Sequence, residues 1–228
     1  SWSAYFDGNG DYLTIPANAS LSLGSGDFTI ELWINTSVYS RDPYDRRILR
    51  CMADPMAGTG NGLDLSLNGN PSGGIGQLYF TTNSGVNITS TLTVANGTWK
   101  HIAITRVGNL FRMFIDGTLI TSQTQAGTIN DPGSYPTWIG WFGGSGQGYF
   151  NGYISNLRIL KGTAQYTANF TPSTTTIGPV ANTSLLTLRE PIIADNSGNN
   201  FTITVNGDTK VTPFGPFSPQ TVTPTSYS

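Results

Sequence analysis

Few residues in this chain have the types and spacing for covalent chemistry. Glu31 and Glu190 are its only glutamates, His101 its only histidine and Cys51 its only cysteine. Retaining glycoside hydrolysis needs two carboxylates about 5 Å apart, one as acid and one as nucleophile. No acidic residues alternate along a strand-like run, and Asp64 stands alone in Leu63-Asp64-Leu65-Ser66-Leu67. The reading is therefore of a protein that is not an enzyme. One histidine cannot build a histidine-based zinc site, and no Gly-x-Ser-x-Gly elbow leads into a helix. Cys51 has no partner for an internal disulfide and reads as a small buried apolar residue. Gly143 to Gly148 is glycine-rich, but no Lys-Ser/Thr follows to make a phosphate cradle.

Two groups remain. Asp7, Asn9 and Asp11 alternate in Asp7-Gly8-Asn9-Gly10-Asp11, an oxygen-rich spacing that echoes the start of a calcium loop. The glutamate expected at the twelfth position is missing, where Asn18 stands. The competing reading is a turn whose Asp and Asn side chains bond their own backbone. No cofactor is expected, with calcium as the alternative use of these residues. The second group is aromatic. Tyr44, Arg46, Trp141, Phe142 and Tyr149 fall near loops. Sugars present C–H faces to rings and hydroxyls to guanidinium and amide groups, so these five residues are the candidate carbohydrate site. The competing role is packing, which aromatic residues mostly serve.

The elements that must hold them are strands. Phe28, Ile30, Leu32 and Ile34 alternate with Thr29, Glu31, Trp33 and Asn35, a period of two that sends the first set to a core and Trp33 to the other face. Thr98 to Ile120 predicts three strands joined at Gly108-Asn109 and Asp116-Gly117, since an Asp-Gly pair between apolar runs is a strong hairpin signal. Its apolar residues fall on both faces, so the meander belongs inside a packed sheet with another sheet across it. Further strands are expected around Trp2 to Phe6, Ile48 to Met52, Leu63 to Leu67, Leu78, Ile88, Trp138 to Trp141 and Tyr149 to Leu160. Gln165 to Phe170 reads as one helical turn before Pro172.

The meander also carries a resemblance. Trp99-x-His101-Ile102-Ala103-Ile104-x-Arg106, followed by Phe114-Ile115-Asp116-Gly117, resembles the signature of laminin-G-like, concanavalin A-like lectin domains. Ala4 to Ile34 is similar to that family's opening strands and Gly140 to Phe170 to its closing ones. The resemblance implies an all-β antiparallel β-sandwich of jelly-roll type, often binding glycan or protein, and places His101 in bonds within the sheet. It also implies what is missing. Sandwich glucanases carry Glu-x-Asp-x-Glu on one strand, and calcium-dependent pentraxin-like relatives carry an acidic cluster near the strand matching Trp138 to Phe142; this chain has neither.

Composition agrees with recognition. Of 228 residues only 11% are charged, with a net charge of −2, so no basic surface draws nucleic acid or anionic lipid. No apolar run is long enough to span a bilayer. Residues 1–177 are expected to form the sandwich. Residues 178–228 form a second block, whose Leu185 to Leu188 run, Asp195-Asn196-Ser197-Gly198 turn and Phe201 to Val205 run resemble a segment that usually precedes the family's first strand. Either the chain is circularly permuted and Phe201 to Val205 packs on the sandwich, or the block is the joint of a tandem repeat. The functional expectation is a non-catalytic lectin-like module of an extracellular, cell-surface or virion protein, with glycan or glycoprotein as partner. The alternative is a spacer repeat that contacts neighbouring copies.

Overall fold

The computed structural model describes residues 1–36, 45–52, 62–69, 74–130, 133, 135–141, 143–144 and 147–218. Its strands are β1 (Ser3–Asp7), β2 (Tyr12–Ile15), β3 (Phe28–Asn35), β4 (Arg46–Met52), β5 (Gly62–Leu67), β6 (Gln77–Thr82), β7 (Asn87–Thr93), β8 (Lys100–Val107), β9 (Leu110–Ile115), β10 (Thr118–Thr124), β11 (Thr137–Ile139), β12 (Asn151–Lys161), β13 (Thr183–Thr187), β14 (Thr204–Asn206) and β15 (Lys210–Thr212). They form two antiparallel sheets. The eight-stranded sheet runs β10-β9-β8-β3-β12-β1-β15, with β13 also paired to β12; the seven-stranded sheet runs β14-β2-β11-β4-β5-β6-β7. The expected sandwich is what forms. A single 3₁₀ turn at Ala19–Leu21, capped by the Asn18 side chain, is the only helical element among the described residues.

Alternation builds the core. One row across the seven-stranded sheet starts at the exposed Val205 on the edge and continues through the buried Leu13, Ile139, Leu49, Leu65, Phe80 and Ile88. Ile159, Ile30, Ile104 and Met113 answer it in the other sheet. Phe80 meets Phe28 and Phe111 between the layers, with ring centroids 6.4 Å from each. The meander forms as its turns dictate. Asp116 and Gly117 both take positive φ, at 50° and 77°, the requirement of a type I′ hairpin. A Cβ on Gly117 would lie 1.9 Å from the Phe170 carbonyl oxygen, so glycine is needed there for space as well.

The outer face of the eight-stranded sheet is also covered, which explains the apolar residues on both faces of β9. Phe114 is fully buried and meets Phe170 at 5.5 Å, while Tyr166 and Phe170 stack at 3.6 Å. The helical turn expected at Gln165 to Phe170 does not form. This segment instead runs over the sheet as irregular chain with a bend at 167–168, and strand hydroxyls hold its backbone: Thr29 Oγ1 accepts from the Gln165 N–H and the Thr105 hydroxyl donates to the Tyr166 carbonyl. Beneath it Glu31 is 1% exposed. It accepts bonds from Arg158 Nε at 2.8 Å, His101 Nε2 at 3.2 Å and the Tyr166 hydroxyl at 2.8 Å.

The C-terminal residues join both layers. β13 continues the edge of β12 where β1 ends, with Leu186 opposite Arg158. β14 pairs with β2 and β15 with β1. Only Thr204–Asn206 of the Phe201 to Val205 region is strand, while Phe201 and Ile203 are partly buried against the core. Pro213 to Ser218 then crosses the outer face of the eight-stranded sheet. Phe214 lies 4.7 Å from Tyr153 and Phe217 lies 5.5 Å from Trp33, centroid to centroid.

Candidate functional site

Three neighbouring strands of the seven-stranded sheet bring two aromatic side chains and an arginine to one rim. Tyr12 opens β2, Trp141 follows β11 and Arg46 opens β4. The chain turns at Gly140, whose φ is +89° and where a Cβ would sit 2.8 Å from the Phe6 ring. The loop it starts is closed by Phe150 N–H donating to the Gly140 carbonyl at 2.8 Å. Trp141 and Tyr149 stack across this loop at 5.4 Å and 11°, and Tyr12 tilts against Trp141 at 4.6 Å. Trp141 Nε1 donates to the Gln147 carbonyl at 3.1 Å, and Arg46 donates to the Tyr149 carbonyl at 2.7 Å. All three rings and Arg46 are half-buried. Burial, and then the neighbouring Tyr12, push the Tyr149 phenol above its ordinary value, so it remains a neutral donor at physiological pH.

Of the five candidate residues, Arg46, Trp141 and Tyr149 therefore come together. Tyr44 and Phe142 lie outside the described residues. Tyr12 was missed, although its signal was present: the alternation that sends Leu13 and Ile15 inward sends Tyr12 and Thr14 outward. The next row on this outer face runs Thr14, Trp138, Arg50, Asp64 and Thr81 across five strands. Asp64 is ion-paired with Arg47 Nε at 2.8 Å. Burial pushes its carboxyl up, against the pull of Arg47 and Arg50.

Asp7 and Asp11 lie on the same rim. Fold closure adds Asp208, and the three offer carboxylate oxygens within 4.8 Å of one another. The oxygens already have work in the turn. Asp11 accepts from the backbone N–H of Asp7 at 2.9 Å and of Asp208 at 2.8 Å, and Asp7 accepts from that of Asn9 at 2.6 Å. Asn9 thus enters through its backbone. Burial raises the Asp11 carboxyl, while those two N–H bonds hold it down in part. The arrangement ties the first turn of the chain to the turn after β14.

The remaining reactive groups have partners within the fold. Glu190 pairs with Arg189 at 3.1 Å and takes a bond from Asn196 at 3.3 Å. Cys51 is buried against the Thr137 hydroxyl at 3.2 Å, and its thiol is pushed up to about 12 by burial, far from the range of a nucleophile.

A two-sheet antiparallel sandwich with aromatic side chains at one rim is the class these features define. The chain belongs to the concanavalin A-like lectin/glucanases superfamily, whose laminin-G-type family model matches residues 7–168. No curated protein sequence matches it. Among solved structures it is similar to a candidate carbohydrate-binding protein from Bacteroides ovatus, with 16% identity, TM-score 0.67, and 93% of this chain and 59% of that one covered. It thus spans less than two thirds of that protein. It is also similar to a heptameric pentraxin from Limulus polyphemus, with 17% identity, TM-score 0.54, and 90% and 94% of the two chains covered. A third relative is domain 4 of an extracellular arabinanase from Geobacillus stearothermophilus, solved with arabinotriose, with 18% identity, TM-score 0.52, and 72% of each chain covered.

Proposed function

We propose that this chain is a non-catalytic carbohydrate-recognition module of an extracellular or virion surface protein. The observation that carries the reading is the rim cluster of Tyr12, Trp141 and Tyr149, three half-buried rings packed on one another beside Arg46, with the Trp141 indole and the Tyr149 main chain each held by a hydrogen bond. Rings fixed in this way offer a ligand apolar area with little further ordering cost, and the phenol groups of Tyr12 and Tyr149 add polar ends for hydroxyls, the Trp141 N–H being committed to Gln147. Two solved structures of the same fold, a candidate carbohydrate-binding protein and a domain solved with arabinotriose, are consistent with the reading. Both glutamates have structural partners, and no step of hydrolysis is assigned to them.

A glycan array tests the proposal. Wild type is expected to bind a subset of glycans saturably, and Trp141→Ala, still folded by circular dichroism, to lose that binding. Absence of binding by wild type would favour the spacer reading, in which copies of the chain contact one another. That reading draws on β14 and β15, short strands that end both sheets between Thr204 and Thr212.

A further inference from the structure

The C-terminal block also reaches the aromatic rim. β14 pairs with β2 in the register Thr204 with Thr14, Val205 with Leu13 and Asn206 with Tyr12. Directly opposed residues of an antiparallel pair share a face, with Cβ atoms about 4.5–5.5 Å apart. Tyr12 points outward, so Asn206 stands beside its ring on that same face. Strand order β14-β2-β11 puts Asn206 on the flank of Tyr12 opposite to Trp141.

The amide of Asn206 is unlike others in the fold. Asn18, Asn83, Asn96, Asn156 and Asn169 each spend their side-chain oxygen on a backbone N–H. The Asn206 side-chain oxygen accepts no bond among the described residues, and its amide nitrogen makes only a long contact of 3.4 Å to the Thr204 carbonyl. Asn206 is half-buried, and β14 is the last strand of its sheet, so the group is open from the edge. In the next row the paired Thr14 and Thr204 add hydroxyls that bond nothing among the described residues. Asparagine before Gly207, whose φ is +72°, also suits the β14–β15 turn. That role uses the backbone preference of the residue, and aspartate serves it equally well.

We propose, building on the rim reading, that Asn206 is a ligand contact that sets the specificity of the rim for an uncharged oligosaccharide. A sugar ring seated on Tyr12 places its hydroxyls beside an amide that can both donate and accept. The charge of the ligand follows from the neighbours. Asp11 adjoins Tyr12 in the chain and Asp208 lies two residues beyond Asn206; their carboxylates gather with that of Asp7 at this end of the rim. Charges so near are only partly screened at physiological salt, where the Debye length is about 8 Å, and they oppose an acidic sugar. The family model ends at residue 168, so this contact comes from outside the matched region.

Calorimetric titration of the full chain tests the proposal. The probes are neutral tri- and tetrasaccharides of hexose and pentose, and uronic acid oligosaccharides of the same lengths. Wild type is expected to bind at least one neutral probe and no uronate. Asn206→Ala should weaken that binding about fivefold to tenfold. Asn206→Asp keeps the turn but loses the amide donor and adds a negative charge, and should bind no better than Asn206→Ala, with an unchanged melting temperature. If Trp141→Ala abolishes binding while both Asn206 variants bind like wild type, Asn206 serves only the turn and the proposal is overturned, with the rim reading intact. Binding of uronates alone would overturn it as well. If no probe binds wild type, or Trp141→Ala binds undiminished, the rim reading itself fails and this proposal with it.

Discussion

At the scale of single residues, Glu31 separates structure from function most clearly. It is the only acidic residue on its strand, the kind of group that sequence singles out as a possible acid, yet it holds β3, β8, β12 and the 165–170 segment together. Burial alone would raise its carboxyl; the His101 bond, the Arg158 charge and the Tyr166 hydroxyl outweigh this and hold it below its ordinary value of 4.5. Its contribution to stability is therefore complete above that value and lost as pH falls through the depressed one. Urea midpoints measured from pH 7 to 3 should show wild type losing its advantage over Glu31→Gln as the solution is acidified. At pH 7 the substitution should cost about 3–5 kcal/mol, because it leaves Arg158 buried without its counter-charge. Equal slopes for the two proteins would remove Glu31 from this role. For Asp7 and Asp11, whose oxygens hold turn N–H groups, the melting temperature should be the same in calcium as in chelator. A calcium-dependent rise would instead make Asp7, Asp11 and Asp208 ligands.

At the scale of elements, the strands and the meander were legible because period-two alternation and Asp-Gly turns are local signals. The Gln165 to Phe170 segment was not. Its conformation is dictated by Thr29 and Thr105 hydroxyls on strands more than 60 residues away, and no local pattern announces that. Arg46, Trp141 and Tyr149 of the rim were legible from local signals. Trp141 and Tyr149 stand beside glycines in an evident loop; alternation sends Tyr12 outward, but only strand pairing places it and Asp208 beside them. Gly117 shows how tightly the meander and the segment over it are coupled. Gly117→Ala should destabilise the protein by more than about 1 kcal/mol, since positive φ already disfavours alanine and the Phe170 carbonyl occupies the space a methyl would take. A neutral result in urea denaturation would mean that the segment is free to lift.

At the scale of the whole molecule, the C-terminal strands add to the edges of both sheets, and we propose that they complete one folding unit. A single calorimetric transition is then expected for the chain, with equal van't Hoff and calorimetric enthalpies. Removing residues 183–228 should bare the second half of β12 and leave an aggregation-prone product. Two separate transitions, or a well-behaved shortened chain, would instead make the C-terminal block an independent joint. The proposed carbohydrate site is built on this frame, at the rim of the seven-stranded sheet. A crystal structure of the chain with the oligosaccharide it binds best on the array tests the central claim most directly. The account predicts a sugar ring against Tyr12, Trp141 and Tyr149, with a hydroxyl within reach of Arg46. A well-ordered sugar bound elsewhere, with that rim empty, would contradict it.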